Sequence, residues 1–204
     1  PPQAMLILIA HNAGRLLPTI RSRCRMLKLS APDTPLFKKI MRHVAPDVDG
    51  SVLAALVALS NQSPGIALDL HRQGATALYQ QILDLMAGLP ELDSQRLHLF
   101  AESIGSGSVH KNWQLFTRLM LCLLERITKT ACELQLEELV MDEGEVLLKL
   151  ASMHPPGLWA LKWQQCADQF SLADARHLDY KQVVITWFHS ITTTEGFLLG
   201  NIAA

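Results

Sequence analysis

The spacing of apolar residues along the chain predicts a protein built mainly from α-helices. From residue 33 onward, apolar side chains recur every three or four positions, the spacing that places them on one face of a helix. In the first 30 residues this spacing is missing, and apolar residues occur in short runs. The pattern therefore predicts a small amino-terminal part of different organisation, followed by a long helical part.

The amino-terminal part is predicted to contain two strands and one short helix. Met5 to Ala10 is continuously apolar and short, which is typical of a strand buried on both faces of a sheet. Residues 15–21 indicate a short helix, because Pro18 can begin a helix but cannot lie within one. Residues 25–29 include the alternating run Met26-Leu27-Lys28-Leu29 and are expected to form the last strand of that sheet, before a proline-rich break.

Three short helices are predicted between residues 33 and 70. Thr34 is expected to cap the first, Asp49 or Ser51 the second, and Ser63 stands before the third. The first helix should bury one row of apolar residues against the others. That row consists of Leu36, Ile40 and Val44.

The helical pattern continues after Gly74. The longest helix is predicted from Trp113 to Leu136, and its apolar residues cover a wide arc, which is typical of a central helix packed on several neighbours. Another helix should follow Pro155-Pro156-Gly157, and Val183 to Leu199 should form the last. The Trp and Phe residues of these helices are expected to lie in the core.

Composition favours a soluble globular protein, with 49% hydrophobic and 18% charged residues and a net charge of −1. No apolar run approaches the roughly 20 residues that a membrane span needs, so no membrane partner is expected. Positive charges concentrate between Arg15 and Arg42, which suggests direct nucleic-acid binding. A solvated face or a subunit contact explains such a block more often. The acidic block from Glu133 to Glu145 is expected to be a solvated helix face and loop.

The first residues of the sequence and the positions of its cysteines predict the cellular compartment of the protein. The sequence starts with Pro1-Pro2-Gln3, without an initiator Met or a basic leader, which suggests a piece cut from a longer, non-secreted protein. The cysteines lie far apart and lack metal-ligand spacing, so buried, reduced thiols in the cytoplasm are expected and no metal site is. They are Cys24, Cys122, Cys132 and Cys166.

The sequence lacks the motifs that an independent ATPase or hydrolase needs. It contains no Gly-x-x-x-x-Gly-Lys-Ser/Thr loop to hold phosphates and no Gly-x-Ser-x-Gly nucleophile turn. The carboxylates have no spacing that suggests a paired acid and base. His11 is interpreted as a packing residue. The chain is therefore not expected to bind and hydrolyse ATP alone.

The segment from Leu16 to Arg25 carries the most specific pattern. Its sequence is Leu-Leu-Pro-Thr-Ile-Arg-Ser-Arg-Cys-Arg, with arginines at positions 21, 23 and 25. A guanidinium is always charged and presents planar donors that match phosphate or carboxylate, so an anionic partner is expected. By composition alone these arginines would only solvate a surface turn. Their order beside Ser22 and Cys24 favours a functional motif.

Together with Asn12, this segment resembles the stretch from the sensor-1 strand to the Ser-Arg-Cys motif of clamp-loader AAA+ subunits, in particular the delta-prime type of bacterial DNA polymerase III. The resemblance implies that Arg23 is an arginine finger that acts on ATP bound by a neighbouring subunit. It places Asn12 at the sensor-1 position, although an Asn chosen for turn geometry explains this residue equally well. The same resemblance makes Ser22, Cys24, Arg21 and Arg25 supporting residues of the motif.

A departure from the family pattern distinguishes two types of subunit. ATP-hydrolysing members carry a sensor-2 arginine in the third helix of the lid, where this chain has Gly65. Loss of that cation removes one charge-assisted contact to a bound triphosphate, about 1.5 to 3 kcal/mol. The departure favours a non-hydrolysing subunit over a motor subunit.

The resemblance implies a division of the whole chain into three parts. Residues 1–30 would end the α/β nucleotide-binding module, residues 31–73 would form a three-helix AAA+ lid, and residues 74–204 a helical collar domain. The fold class is then mainly α, preceded by a short α/β remnant.

The resemblance also implies a setting in DNA replication. The implied partners are gamma/tau-type and delta-type subunits in a hetero-pentamer, with the sliding clamp and primer-template DNA reached through that complex. The chain would hold no cofactor, since ATP and Mg²⁺ would be bound by a neighbour. Two alternatives remain: an ATP-hydrolysing gamma/tau-type subunit, and a helical adaptor unrelated to replication.

Overall fold

A computed structural model describes residues 5–10, 14, 16–106 and 109–192 of the chain. Its internal contacts divide the chain into two compact units, Pro1–Ala31 and Pro32–Ala204. We describe each unit by itself. None of the described helices is by itself long and apolar enough to cross a membrane.

The described part of the first unit contains one short helix, α1 (Pro18–Arg21). Pro18 occupies the first helical position, where its fixed φ suits the helix and its missing N–H needs no partner. The helix is short, as the sequence predicts, because the chain turns immediately at Ser22.

The two strands predicted in the first unit, at residues 5–10 and 25–29, are absent from its described residues, so the α/β remnant is not seen. Both segments have exposed apolar side chains, with Ile9 88% and Leu27 84% exposed. A strand is stabilised by hydrogen bonds to a neighbouring strand, and no described residue provides one. The apolar pattern alone is therefore not sufficient to form the sheet.

The described part of the second unit is entirely helical apart from its connections. Its helices are α2 (Thr34–Val44), α3 (Gly50–Leu59), α4 (Pro64–Arg72), α5 (Ala75–Ala87), α6 (Ser94–Gly105), α7 (Val109–Ala131), α8 (Glu143–Met153), α9 (Pro156–Arg176) and α10 (Tyr180–Thr192). This confirms the prediction of a mainly α-helical chain. The predicted division of the chain at residues 30 and 73 stays a prediction.

The caps of α2 and α3 follow from aspartate chemistry. The Asp33 carboxylate accepts a hydrogen bond from the Leu36 N–H at 2.9 Å, so Asp33 caps α2 and the prediction of Thr34 was wrong by one residue. Asp49 caps α3, as predicted, and its carboxylate accepts from the Gly50 N–H at 2.6 Å. Both carboxylates also lie at the positive end of a helix dipole.

The buried face of α2 differs from the predicted face. Phe37 and Met41 are fully buried, whereas Leu36 and Val44 are 49% and 48% exposed. The apolar residues of α2 form two adjacent rows, and the row with the larger side chains faces the core because it removes more apolar area from water. The prediction of Leu36, Ile40 and Val44 as the core row was therefore wrong.

Helix α7 lies at the centre of the second unit and packs against α5, α6, α8 and α9. Its predicted central position is confirmed, although it ends at Ala131 and not at Leu136. Around it lies an aromatic cluster in which the rings of Trp113 and Tyr180 stack with centroids 4.3 Å apart. Phe100, Phe116, Phe170 and Phe188 complete the cluster. The prediction that the aromatic residues form the core holds for these side chains.

Arg118 connects α7 to the first helices of this unit. Its Nη2 atom donates a hydrogen bond to the main-chain oxygen of Leu59, the last residue of α3, at 2.7 Å. The last carbonyls of a helix have no partner within the helix, so this guanidinium satisfies one of them. The predicted lid and collar segments are thus joined by a direct polar contact.

Glu143, at the start of α8, has a fully buried side chain and contradicts the prediction that the acidic block is solvated. Oε1 accepts from Arg126 Nε and from the Tyr79 hydroxyl, each at 2.6 Å. Oε2 accepts from Arg126 Nη2 at 3.0 Å and from the Leu139 N–H at 2.5 Å. The carboxylate is therefore saturated with donors from α5, α7 and the loop before α8.

Burial and the neighbouring Glu143 carboxylate together raise the pKa of Tyr79 far above its ordinary value. Its hydroxyl therefore stays protonated and remains a donor to Glu143. Removing either partner of a buried ion pair leaves an uncompensated charge inside the protein, which is costly. The Tyr79–Glu143–Arg126 cluster thus fixes three helices relative to one another.

We predict that Glu143→Gln lowers the free energy of unfolding by about 3 kcal/mol, because the Arg126 guanidinium loses its buried counter-charge. Glu145→Gln is the matched control, since Glu145 lies two residues further along α8 and is exposed. This control should change the stability by no more than about 0.5 kcal/mol. Urea unfolding followed by circular dichroism measures both values. Equal effects of the two substitutions would contradict the role of the buried pair.

We also predict that two of the four cysteines react quickly in the native chain. Cys24 and Cys132 are exposed, whereas Cys166 is buried, so the expectation that all the thiols are buried was wrong. Burial raises the pKa of Cys122 to about 11 and that of Cys166 well above its ordinary value, which keeps both as unreactive neutral thiols. A chromogenic disulfide reagent at pH 8 should titrate two thiols rapidly and the others after denaturation. A Cys24→Ser, Cys132→Ser variant that kept the fast phase would refute this assignment.

Candidate functional site

The candidate site is the arginine-rich segment that contains α1. The Leu17 carbonyl accepts hydrogen bonds from the N–H groups of Ile20 and Arg21, which closes one helical turn after Pro18. Ser22 ends the turn, and its N–H donates to the Pro18 oxygen at 2.9 Å. The backbone of the segment is therefore fixed locally by its own short helix.

Ser22 and Arg23 are held by this turn through different groups. The Ser22 hydroxyl donates to the Thr19 oxygen at 3.3 Å, and the Arg23 N–H donates to the Ile20 oxygen at 3.1 Å. Both bonds use short-range partners and leave the Arg23 guanidinium unengaged. A serine at this position therefore stabilises the turn from which the Arg23 side chain projects.

The side chains of the motif are exposed, from Arg21 through Ser22, Arg23 and Cys24 to Arg25. Among the residues that the structure describes, no ion pair includes any of the three arginines. The motif contains no general base beside a nucleophile, so the segment itself has no catalytic pair. What it offers is fixed positive charge, which can stabilise an anionic group supplied by another molecule.

The position of Gly65 is open to a larger side chain. Gly65 lies in the first turn of α4, and a Cβ atom added there would meet no other atom within 4 Å. Neither crowding nor a left-handed backbone therefore requires glycine. Packing around the Cα atom therefore does not explain why residue 65 is glycine.

Some of the sequence predictions concern residues outside those described. Asn12, the predicted sensor-1 position, and His11 both fall outside the described residues. Asn12 is therefore neither brought near Arg23 nor separated from it by this structure. Where the structure is described, no group of three or more His, Cys, Asp or Glu side chains is arranged to hold a metal ion.

The Glu143 cluster is a charged site that the sequence analysis missed. It has the low exposure of many functional sites, but its carboxylate is saturated by Arg126, Tyr79 and a backbone N–H. We interpret it as structural for that reason. One signal was present in the sequence, because Arg126 interrupts the apolar arc of α7 next to Ile127 and such a buried cation needs an acid.

Two basic side chains, Lys162 and His154, lie near the end of α10. Lys162 is buried, and its Nζ donates to the Ile191 oxygen at 3.2 Å. Burial lowers the pKa of Lys162. Burial and the nearby Lys162 charge also lower the pKa of His154. The lysine stabilises the carboxyl-terminal end of a helix, which explains its position without any ligand.

Comparison with known proteins gives one informative match. Over 93 residues the chain is 34% identical to DNA polymerase III subunit delta' of Pseudomonas aeruginosa strain PAO1. The matched residues make up 46% of this chain and 27% of the relative, so the chain spans about a quarter of the relative's length. No protein-family model and no solved structure matches the chain significantly. Over these 93 residues the chain is delta-prime-like, which confirms the predicted resemblance to that subunit.

Proposed function

We propose that the chain is part of a non-hydrolysing clamp-loader subunit of delta-prime type, which supplies Arg23 to an ATP site on a neighbouring subunit. The observation that carries the proposal is the Ser22-Arg23-Cys24 motif in a chain that matches a delta-prime subunit. In this role the guanidinium stabilises the charge that develops on the transferring phosphoryl group. ATP and Mg²⁺ are then held by the neighbour.

The geometry of the motif supports this role. The Arg23 side chain is exposed, and no ion pair within the described residues engages it. A guanidinium that must reach another subunit has to project from a fixed backbone, which α1 and Ser22 provide. Arg21 and Arg25 then brace the motif or face the same neighbour. Asn12 takes the sensor-1 position in this proposal.

The absence of catalytic motifs supports the non-hydrolysing type. The sequence has no phosphate-binding loop, and Gly65 stands where a motor subunit would place its sensor-2 arginine. Because packing does not require glycine there, we attribute its presence to function. The chain is then an accessory part of DNA polymerase III without an activity of its own.

The architecture follows the same proposal. Residues 5–10 and 25–29 become strands when the rest of the AAA+ sheet pairs with them, which would cover the apolar side chains that are exposed here. Residues 31–73 act as the lid, and residues 74–204 join the collar of a hetero-pentamer with gamma/tau-type and delta-type subunits. The complex acts in the cytoplasm, where it loads the sliding clamp onto primer-template DNA.

We predict that Arg23→Ala leaves assembly of the clamp loader intact but lowers ATP turnover at the neighbouring site by about a thousandfold or more. The measurement uses a reconstituted complex in which only that neighbouring motor subunit can hydrolyse ATP, in the presence of clamp and primed DNA. Arg23→Lys keeps the charge but loses the planar pair of donors, so it should restore little activity.

Arg176→Ala is the matched control, because Arg176 is an exposed arginine at the end of α9, outside the motif. The complex that carries Arg176→Ala should hydrolyse ATP at the same rate as the wild-type complex. Unchanged turnover of the Arg23→Ala complex would remove the proposed role. Failure of the wild-type chain to assemble with clamp-loader subunits would favour the unrelated adaptor, and ATP hydrolysis by the chain itself would favour the gamma/tau type.

A further inference from the structure

Helix α2 carries basic side chains along its solvent side. Lys39, Arg42 and His43 are exposed, and Lys38 is half-buried beside them. At 3.6 residues per turn these four side chains fall within an arc of about 140°, opposite the buried Phe37. We call this set the basic face of α2. It contains no acidic residue and no amide side chain.

The lysines and the arginine of the basic face form no ion pair with any residue that the structure describes. No ion pair or side-chain hydrogen bond formed within the described residues involves Lys38, Lys39 or Arg42. Elsewhere in the same unit, two lysines do pair with acids. Lys129 contacts Glu125 at 2.6 Å, and Lys181 contacts Glu102 at 3.4 Å.

Three of the acids close to α2 in the sequence already have partners. The Asp33 carboxylate caps α2 and the Asp49 carboxylate caps α3. Asp47 lies 3.8 Å from the His71 ring nitrogen. The remaining acid of this region, Asp69, is exposed on α4, two positions along the chain from the buried Ala67. Within the described ranges, none of these acids forms an ion pair with Lys38, Lys39 or Arg42.

Lys38 and Lys39 stand four and three positions before Arg42, and like charges at this spacing repel and weaken the helix that carries them. A row of anions lying along α2 would remove the repulsion. The face extends about 7.5 Å along the helix axis at 1.5 Å per residue. That length spans about two of the 3.4 Å intervals between phosphates along the axis, so it matches three successive phosphates of one DNA strand.

We propose that the basic face of α2 binds the sugar-phosphate backbone of nucleic acid without reading the bases. Lysine and arginine are the main phosphate-contacting side chains, and the face contains no Asn or Gln that could read adenine. The alternative ligand for the basic face is an acidic protein surface. The exposed Leu36 and Val44 side chains on the adjoining arc could form apolar contacts with such a protein. The basic face itself has no apolar side chain, which favours phosphate. This site goes beyond the proposed function, because it uses neither Arg23 nor ATP.

The test compares binding of the chain to a fluorescent 20-base-pair duplex of mixed sequence at 50 to 200 mM salt. Three phosphate contacts contribute a slope of about −2.7 to a plot of log K against log salt, or about 40-fold in affinity over this range. Lys38→Gln, Lys39→Gln, Arg42→Gln should weaken binding at least tenfold and make the slope shallower by about 2 to 3. The charge-retaining variant Lys38→Arg, Lys39→Arg, Arg42→Lys should bind as the wild type does.

The matched control removes the same charge from three other helices. Arg96→Gln, Lys111→Gln, Arg176→Gln alters exposed residues of α6, α7 and α9 and should leave the slope unchanged. The arginines of the first unit are present in every variant, so their contribution to binding cancels.

Three results would overturn the proposal. They are the absence of binding at 50 mM salt, equal losses in the α2 variant and the control, and binding of polyglutamate as tight as that of the duplex. The last result would assign the face to an acidic protein. Circular dichroism establishes that each variant is folded. The ATPase of the reconstituted complex tests Arg23 separately, so failure of one proposal is distinguishable from failure of the other.

Discussion

The second unit depends on one buried carboxylate, that of Glu143. A charge inside a protein is tolerated only when its hydrogen-bonding capacity is filled, and here donors come from Tyr79 on α5, Arg126 on α7 and the main chain at Leu139. Because each donor belongs to a different element, the carboxylate sets the position of α8 against two helices and a loop. Apolar packing is less directional and would tolerate small shifts that this geometry excludes.

Arginines serve two opposite purposes in this chain. Arg126 and Arg118 turn inward, where one neutralises an acid and the other satisfies the end of α3. Arg23 and Arg42 point to solvent and have no internal counter-charge within the described residues. Charges that stabilise the fold are thus separated from charges that remain able to meet another molecule. Both proposals about function concern the second group.

The helices of the second unit could be predicted because a period near 3.6 requires only local sequence. The buried row of α2 could not, since the sequence offers two apolar rows and the choice between Phe37 and Leu36 depends on the surrounding volume. For Glu143, the sequence indicates through Arg126 that a buried acid is needed, but it does not identify which acid, because the partner lies 17 positions away. The strands expected at residues 5–10 and 25–29 are not formed, for a related reason. A strand requires hydrogen bonds to a partner segment, which the local sequence does not provide. The arginine motif was recognised from residue order, which needs no three-dimensional information.

The hydrogen bond between Arg118 and the last carbonyl of α3 has a mechanical consequence. Leu59 belongs to the segment predicted as the lid, and Arg118 belongs to the central helix of the segment predicted as the collar. A tilt of α3 would pull on that guanidinium and be transmitted to α7 without passing through the connection at Gly74. The two segments are therefore coupled at a second point, and bending at residue 73 would require this hydrogen bond to break or to follow the movement.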